Sequence, residues 1–207
     1  MPNWVAHRVY ISGDKESIAR CAESIFKSDK FSFNNIIPRA DELDVTAGSL
    51  SHLGEEWGKL TTDKEREEFC EKHKITKDED KASLDVYANN IKKYGFPTWY
   101  EWSIKNWGTK WDACEVDYDT YEDNITLRFD TAWSTPSPIF IELSKQFPTL
   151  DIDVEFADED LGYNCGEYKL KGGEMTSVLE GDLDFACEIW CIDKEDLDLD
   201  DEDSSED

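Results

Sequence analysis

Alternation of apolar and polar residues is the first feature of the chain, and it predicts β-strands at both ends of the sequence. Residues 4–12 alternate with the two-residue period of a strand, with Val5, His7, Val9 and Ile11 on one face. Further alternating segments lie in the second half, at 111–118, 124–131, 150–156 and about 163–170. A short strand is also expected at 31–37, stopped by Pro38. These segments predict a sheet whose strands are distant in the sequence.

Apolar residues recur at helical spacing between the predicted strands. Asp14 follows the first strand as a capping residue, and the apolar stripe of a helix extends from it to about Lys27. Thr135 and Pro136 likewise begin a helix that ends near Phe147. The segment 182–192 is compatible with a last short helix or with a strand.

The region of about 41–110 has a different pattern and predicts a helical insertion. Three helices are expected in it, at about 62–74, 76–95 and 98–107. The patterns Thr62-x-x-Glu65 and Thr76-x-x-Glu79 match the capping box and begin the first two helices. Thr98 would cap the third.

The order strand, helix, helical insertion, strand, strand, helix, strand is typical of a split βαβ sandwich. We therefore expect an α+β fold, a ferredoxin-like sheet with a helical insertion after its first helix and one extra strand. Residues 1–192 are expected to form this single domain. Residues 193–207 form an acidic tail, which we expect to be disordered because its like charges repel and few of its residues can be buried.

Composition adds a large excess of negative charge. The 207 residues include 49 Asp and Glu against 22 Lys and Arg, a formal net charge of −27, and most of this charge lies in residues 151–207. Because phosphate groups are bound by Lys and Arg, the charge argues against direct binding of nucleic acid or of an anionic membrane. No apolar stretch of about 18 residues and no secretory signal is found, so we expect a cytoplasmic protein without a membrane helix.

The strand at 150–156 carries a row of carboxylates. Asp151, Asp153 and Glu155 share one face, about 6.6–6.8 Å apart, which is similar to the scale on which phosphates follow one another along DNA. Together with Asp158, Glu159 and Asp160, the row would stand in for phosphates on a protein built to hold nucleic acid. The simpler alternative is that these acids face water while the alternate residues face the core.

Aromatic residues concentrate at 94–111, where Trp99 and Trp102 are candidate partner-binding residues because Trp is a favoured interface anchor. The alternative is that they pack the insertion. No pattern of catalytic residues is found, since the chain contains no GxGxxG after a strand, no HExxH and no GxSxG. The six cysteines include no CxxC pair, and we expect reduced thiols, no metal and no cofactor.

Three segments resemble a known protein family. They are Met1-Pro2-Asn3-Trp4 with residues 8–13, Glu101-Trp102 with residues 106–112, and residues 129–134 with Pro136 and Pro138. On these segments the chain resembles the YubB-type, or Api-like, ferredoxin-like proteins of phages, prophages and plasmids, over about residues 1–170. The resemblance implies a ferredoxin-like fold and an origin in a mobile element. It implies no activity and no site residues.

Three hypotheses for function follow. In the first, the chain is a non-enzymatic phage or plasmid protein in the cytoplasm of a bacterial host. There it binds and inhibits a nucleic-acid-acting or defence protein through the DNA-mimicking acidic residues. In the second, it is an adaptor that binds a protein partner through the aromatic insertion. In the third, it is an enzyme or small-molecule binder with a pocket beside Trp107, Trp111 and Trp133.

Overall fold

The computed structural model describes residues 3–194 and Leu197. The predicted acidic tail therefore lies almost entirely outside the described residues. The chain divides into two compact units, one formed by Met1–Pro38 with Asn106–Asp207 and the other by Arg39–Lys105. The sequence predicts a helical insertion at about 41–110 in the place of this second unit.

The strands and helices are numbered here in chain order. The strands are β1 (Trp4–Ser12), β2 (Phe26–Lys27), β3 (Lys30–Phe31), β4 (Cys114–Thr120), β5 (Asn124–Ala132), β6 (Asp151–Asp158), β7 (Cys165–Lys171) and β8 (Glu174–Glu180). The helices are α1 (Lys15–Ile25), α2 (Gly54–Trp57), α3 (Asp63–His73), α4 (Asp78–Tyr94), α5 (Trp99–Trp107), α6 (Ser137–Gln146) and α7 (Leu183–Trp190).

The first unit contains a six-stranded antiparallel sheet in the order β4-β5-β1-β6-β7-β8. β1 lies inside the sheet and pairs with β5 on one side and β6 on the other. The elements β1, α1, β4, β5, α6 and β6 give the split βαβ arrangement, and β7 and β8 extend the sheet beyond β6. The predicted ferredoxin-like α+β fold is thus confirmed.

One face of this sheet forms the core of the first unit. Its buried side chains come from the alternate positions of the strands, namely Val5, His7, Val9, Ile11, Ile125, Leu127, Phe129, Ile152 and Val154. Helices α1 and α6 bury Ile18, Cys21, Ile25, Ile139, Phe140 and Leu143. Asp14 begins α1 as predicted, because its carboxylate accepts a hydrogen bond from the Ser17 amide at 3.0 Å.

The second unit is helical and has its own apolar cluster, formed by Leu53, Trp57, Phe69, Ile75, Leu84 and Tyr87. The predicted capping box at Thr62 is present, with both reciprocal hydrogen bonds to Glu65. The one predicted at Thr76 is not formed, because α4 begins one residue later with Lys77 at its N-cap and no side-chain cap. Three acidic residues in the first turn of α4 instead complement the helix dipole.

Three local predictions are corrected by the structure, and one strand was missed. The strand expected at 31–37 is extended only at Lys30–Phe31, since Ser32 caps a 3₁₀ turn at Phe33–Asn35. The strand expected at 111–118 begins only at Cys114, next to an irregularity at Glu115, whose φ is 48°. The N-cap of α6 is Pro136 rather than Thr135. The edge strand β8 was not predicted, because its residues are mostly exposed and do not alternate.

The buried His7 gives the fold a specific dependence on pH. Its ring stacks on Phe129 with centroids 4.7 Å apart, and burial lowers the pKa of His7 from 6.5 to about 3. The unfolded chain therefore binds a proton that the folded chain excludes, so stability falls as the pH drops from about 6.5 towards 3.

We expect His7 to lower the free energy of unfolding by roughly 2 kcal/mol when the pH falls from 7.5 to 5. The His7→Phe variant, which preserves the aromatic stack, should not show this decrease. Urea denaturation at several pH values measures the free energy of unfolding of both proteins. The difference between the two free energies of unfolding is the informative quantity, because the contributions of the carboxylates cancel. A difference that does not change with pH would contradict the assignment to His7.

Candidate partner-binding site

The predicted acidic row lies on the outer face of the sheet, where lysines of β7 pair with part of it. Lys171 Nζ lies 2.8 Å from both carboxylate oxygens of Asp151, and Lys169 Nζ lies 2.9 Å from Asp153 Oδ2. Glu155 stands opposite Arg8 in the register of β1 and β6, and burial raises the pKa of its carboxyl. The row is therefore a mixed-charge surface rather than an uninterrupted line of carboxylates.

The three acids that follow the row are placed differently from one another. Asp158 is only 6% exposed, and its carboxylate accepts hydrogen bonds from the Asp160 amide at 3.0 Å and from Asn164 Nδ2 at 3.1 Å. It shapes the turn after β6, and the structure therefore removes it from the surface available to a partner. Glu159 and Asp160 are exposed in that turn.

Helix α7 covers part of the same outer face, which the sequence did not reveal. It contacts β1, β6 and β7, and it packs Ala186 and Ile189 against Ala6, Ala157 and Cys165. The signal that was available is the small size of these sheet residues, because a helix can approach closely only where side chains are short. Of the two alternatives for 182–192, the helix is the one formed, over Leu183–Trp190 with Asp182 as its N-cap.

Arg8 connects the C-terminal end of α7 to β1 through hydrogen bonds. Its Nη2 donates to the carbonyl oxygens of Glu188 and Ile189, the latter at 3.3 Å, and lies 3.5 Å from Cys191 Sγ. The guanidinium thus satisfies carbonyls at the C-terminus of a helix, where the helix dipole favours a positive charge.

Trp99 and Trp102 belong to the helical unit, on α5, and both are partly buried. The Trp99 ring contacts the Tyr100 ring edge-on at 5.7 Å, and the Arg39 guanidinium lies 6.0 Å from its centroid. The structure therefore assigns the two tryptophans and the acidic row to different units.

A second group of aromatic residues forms a surface cluster in the sheet unit, which we name the tryptophan site. It comprises Trp4, Lys110, Trp111 and Trp133. Lys110 Nζ lies 3.9 Å from the ring centroid of Trp111 and 3.7 Å from that of Trp133, and the Trp4 and Trp111 rings are 5.9 Å apart. Trp111 is 37% exposed and Trp133 is 46% exposed. Two large apolar side chains thus face solvent, and both contact the same cation.

Hydrogen bonds between distant segments hold the backbone of this site. Thr109 Oγ1 donates to the Ala132 carbonyl at 2.8 Å, Ser134 Oγ donates to the Gly108 carbonyl at 2.6 Å, and the Trp133 amide donates to the Asn3 carbonyl at 2.9 Å. These bonds join the same three segments that carry the family resemblance. The folded chain therefore concentrates those segments at one end of the sheet.

Backbone geometry marks the site as well. Trp133 has φ = 75°, in the left-handed region that bulky residues rarely adopt, so its conformation is strained. Gly108 has φ = 83°, and a Cβ there would lie 2.8 Å from the Pro138 Cδ atom. Glycine is therefore required next to the Thr109–Lys110 segment. The cost of holding Trp133 in this conformation is consistent with a role for its exposed indole.

The third hypothesis placed a pocket beside Trp107, Trp111 and Trp133. Trp107 is buried instead, with its Nε1 donating to the Ile37 carbonyl at 2.9 Å, while Trp111 and Trp133 are at the surface. A cavity of about 790 Å³ lies in the helical unit, lined by Trp57, Arg66, Cys70 and Asp85 among others. There Arg66 pairs with Asp85 at 3.5 Å, so the two charges satisfy each other.

Within residues 3–194 and Leu197, no group of three or more His, Cys, Asp or Glu side chains is arranged to hold a metal ion. In the same part of the chain, no helix has the length and apolar character needed to cross a membrane.

Comparison with known proteins identifies one family model. Residues 106–203 match the model described as the ferredoxin-like domain in Api92-like protein, a range that contains Lys110, Trp111 and Trp133. The crystal structure of protein api92 from Yersinia pseudotuberculosis is similar over 87% of this chain and 98% of its own, with a TM-score of 0.49 and 10% sequence identity. No curated protein sequence matches the chain.

The Arg8 contacts predict that α7 is the element most sensitive to loss of this guanidinium. Arg8→Met should lower the stability of the docked helix by about 1–2 kcal/mol, since charged hydrogen bonds to the helix carbonyls are lost at a partly exposed site. Amide hydrogen exchange within 183–190 should accelerate about tenfold.

Arg128→Met is the matched control for this experiment. Arg128 stands opposite Arg8 on β5 and is exposed, so its removal should leave exchange in α7 unchanged. Equal acceleration in the two variants would show that the effect comes from the charge of the sheet and not from the bonds to α7.

Proposed function

We propose that this chain, whose residues 106–203 match the ferredoxin-like domain in Api92-like protein, is a non-enzymatic protein-binding domain that docks a basic partner through the tryptophan site. The observation that carries the proposal is the pair of half-exposed indoles, Trp111 and Trp133, fixed on a hydrogen-bonded end of the sheet. Trp is strongly enriched among the residues that contribute most to protein interfaces, and a preorganised side chain loses little entropy on binding.

Charge supports a basic partner. The chain carries a net charge of −27, which attracts a positive surface over several ångströms and raises the rate of association. Exposed acids also lie beside the site, because the Glu159 amide donates to the Trp4 carbonyl at 2.9 Å and thereby ties the acidic turn to the cluster. Trp111 and Trp133 would form the contact area, while these acids would attract the basic partner and increase its rate of association.

Host proteins that act on nucleic acid present basic surfaces, since they must neutralise phosphates. A nucleic-acid-acting or defence protein of a bacterial host is therefore the proposed class of partner, and its inhibition by a phage or plasmid protein is the proposed outcome. The family resemblance of the three segments supports this context. In this proposal the chain acts in the host cytoplasm and needs no cofactor.

The tryptophan site is better suited to binding than the acidic row. Asp151 and Asp153 are each paired with a lysine, which reduces the negative potential that a phosphate-binding surface would sense. Trp111 and Trp133, in contrast, are 37% and 46% exposed, and their indoles carry no charge that an ion pair could neutralise. DNA mimicry by the acidic row is the second candidate, favoured by the common face of Asp151, Asp153 and Glu155, and the same experiment tests it.

The proposal predicts that partner capture depends on Trp133. Tagged protein should retain a basic host protein from lysate at low salt, and binding should weaken about tenfold or more at high salt. Trp133→Asn should abolish capture, because the indole is lost while Asn tolerates the left-handed backbone. Thermal unfolding checks that the variant is folded.

Two further variants complete the design. Tyr121→Ser removes an exposed aromatic residue at the opposite end of β5 and should leave capture intact. The double variant Asp151→Lys with Asp153→Lys reverses the acidic row and should have a minor effect. Capture that survives Trp133→Asn but is lost in the charge-reversed variant would overturn the proposed site and favour DNA mimicry.

A further inference from the structure

We infer that the gap between the Trp111 and Trp133 indoles is a cation clamp for an arginine side chain of the partner, and that Lys110 occupies the clamp until the ligand displaces it. This inference rests on the proposed function and specifies the chemistry of its central contact. It assigns to Lys110 the role of an internal competitor.

The distances support a clamp. The Lys110 ammonium is 3.9 Å from one ring centroid and 3.7 Å from the other, so both π faces contact the same cation. A cation within about 6 Å of an indole centroid is attracted by the negative potential of the ring face, and indole is the strongest of the aromatic side chains in this respect. The two indoles thus already hold one cationic group.

Within the described part of the chain, the present occupant is held by the two indoles without help from a carboxylate. Among the residues that the structure describes, the Lys110 ammonium has no ion-pair partner, and it contacts the indoles of Trp111 and Trp133. By contrast, Lys169 and Lys171 on β7 are each bound by a carboxylate. The backbone at this position is fixed by Thr109, whereas the lysine stem has four rotatable bonds. The side chain can therefore leave the clamp without disturbing the loop.

Arginine is the ligand that this geometry prefers. Its guanidinium is planar, stacks on aromatic faces and is less strongly hydrated than an ammonium group, so it loses less solvation between two indoles than Lys110 does. The exposed carboxylates of Glu159 and Asp160 lie in the turn bonded to Trp4 and favour a positive ligand over a neutral one. A basic partner supplies such a side chain.

The experiment titrates the full chain with N-acetylarginine amide and with N-acetylcitrulline amide, which has a similar shape but no charge. The signals are the indole N–H resonances of Trp111 and Trp133 in proton–nitrogen spectra. Arginine amide should shift both resonances, with citrulline amide having little effect. Lys110→Met keeps most of the unbranched stem and removes the competing charge. It should increase the affinity for arginine amide about threefold or more, because no ammonium group then competes for the two indoles.

Two controls accompany this titration. Lys169→Met removes a lysine from the outer face and should leave arginine binding unchanged, whereas Trp133→Asn should abolish it. Affinity in Lys110→Met that is equal to or below that of the unchanged protein would overturn the role of Lys110 as a competitor. Equal binding of the citrulline compound would overturn the cation clamp.

The outcome is separable from that of the proposed function. If partner capture depends on Trp133 but arginine amide does not bind, the protein-binding function stands and the clamp is rejected. If arginine amide binds to the clamp but no basic partner is retained in a Trp133-dependent way, the clamp stands and the proposed function is rejected.

Discussion

The pairing of β1 with both β5 and β6 is the constraint on which the sheet unit depends. Because the strand is hydrogen-bonded along both edges, its two faces have fixed and opposite environments. The inner residues, such as Val9 and Ile11, are buried in the core. Of the outer residues, Trp4 belongs to the tryptophan site and Ala6 packs against α7. Arg8 binds the C-terminal end of that helix. One strand therefore contributes to the core, to the tryptophan site and to the contact with α7.

Part of the negative charge is compensated by neighbouring groups. Lysines on β7 face two acids of β6, and acids in the first turns of helices complement the helix dipoles. Surface pairs of this kind contribute little stability individually. Their more important effect is electrostatic, since they reduce the negative potential at the outer face of the sheet. The acidic turn at Glu159 and Asp160, in contrast, is exposed beside Trp4.

The tryptophan site combines backbone strain with solvent exposure at Trp133. A core position would bury the Trp133 indole, and a simple turn would use glycine or asparagine at φ = 75°. Here the hydrogen bonds of Thr109, Ser134 and the Trp133 amide hold the strained conformation and leave the indole accessible. In the proposed function, a surface aromatic fixed in this manner is preorganised for binding, which lowers the entropic cost of association.

Local patterns determined much of this protein from the sequence alone. The two-residue alternation of β1, β5 and β6 and the caps at Asp14 and Thr62 predicted the ferredoxin-like α+β fold, because each signal depends only on neighbouring residues. The failures were of a different kind. The edge strand β8 has no alternation, since neither of its faces is fully buried, and α7 was ambiguous because its packing surface comes from Ala6 and Ala157, far away in the chain.

Only the tertiary structure decided how the candidate residues are combined. It paired Asp151 and Asp153 with lysines and buried Asp158, because those contacts join strands whose register no short sequence pattern specifies. It also assembled Lys110, Trp111 and Trp133 from two segments that are separated by β4 and β5. The sequence supplied the tryptophans and the charge. Which tryptophans face solvent, and beside which charges, depended on long-range pairing.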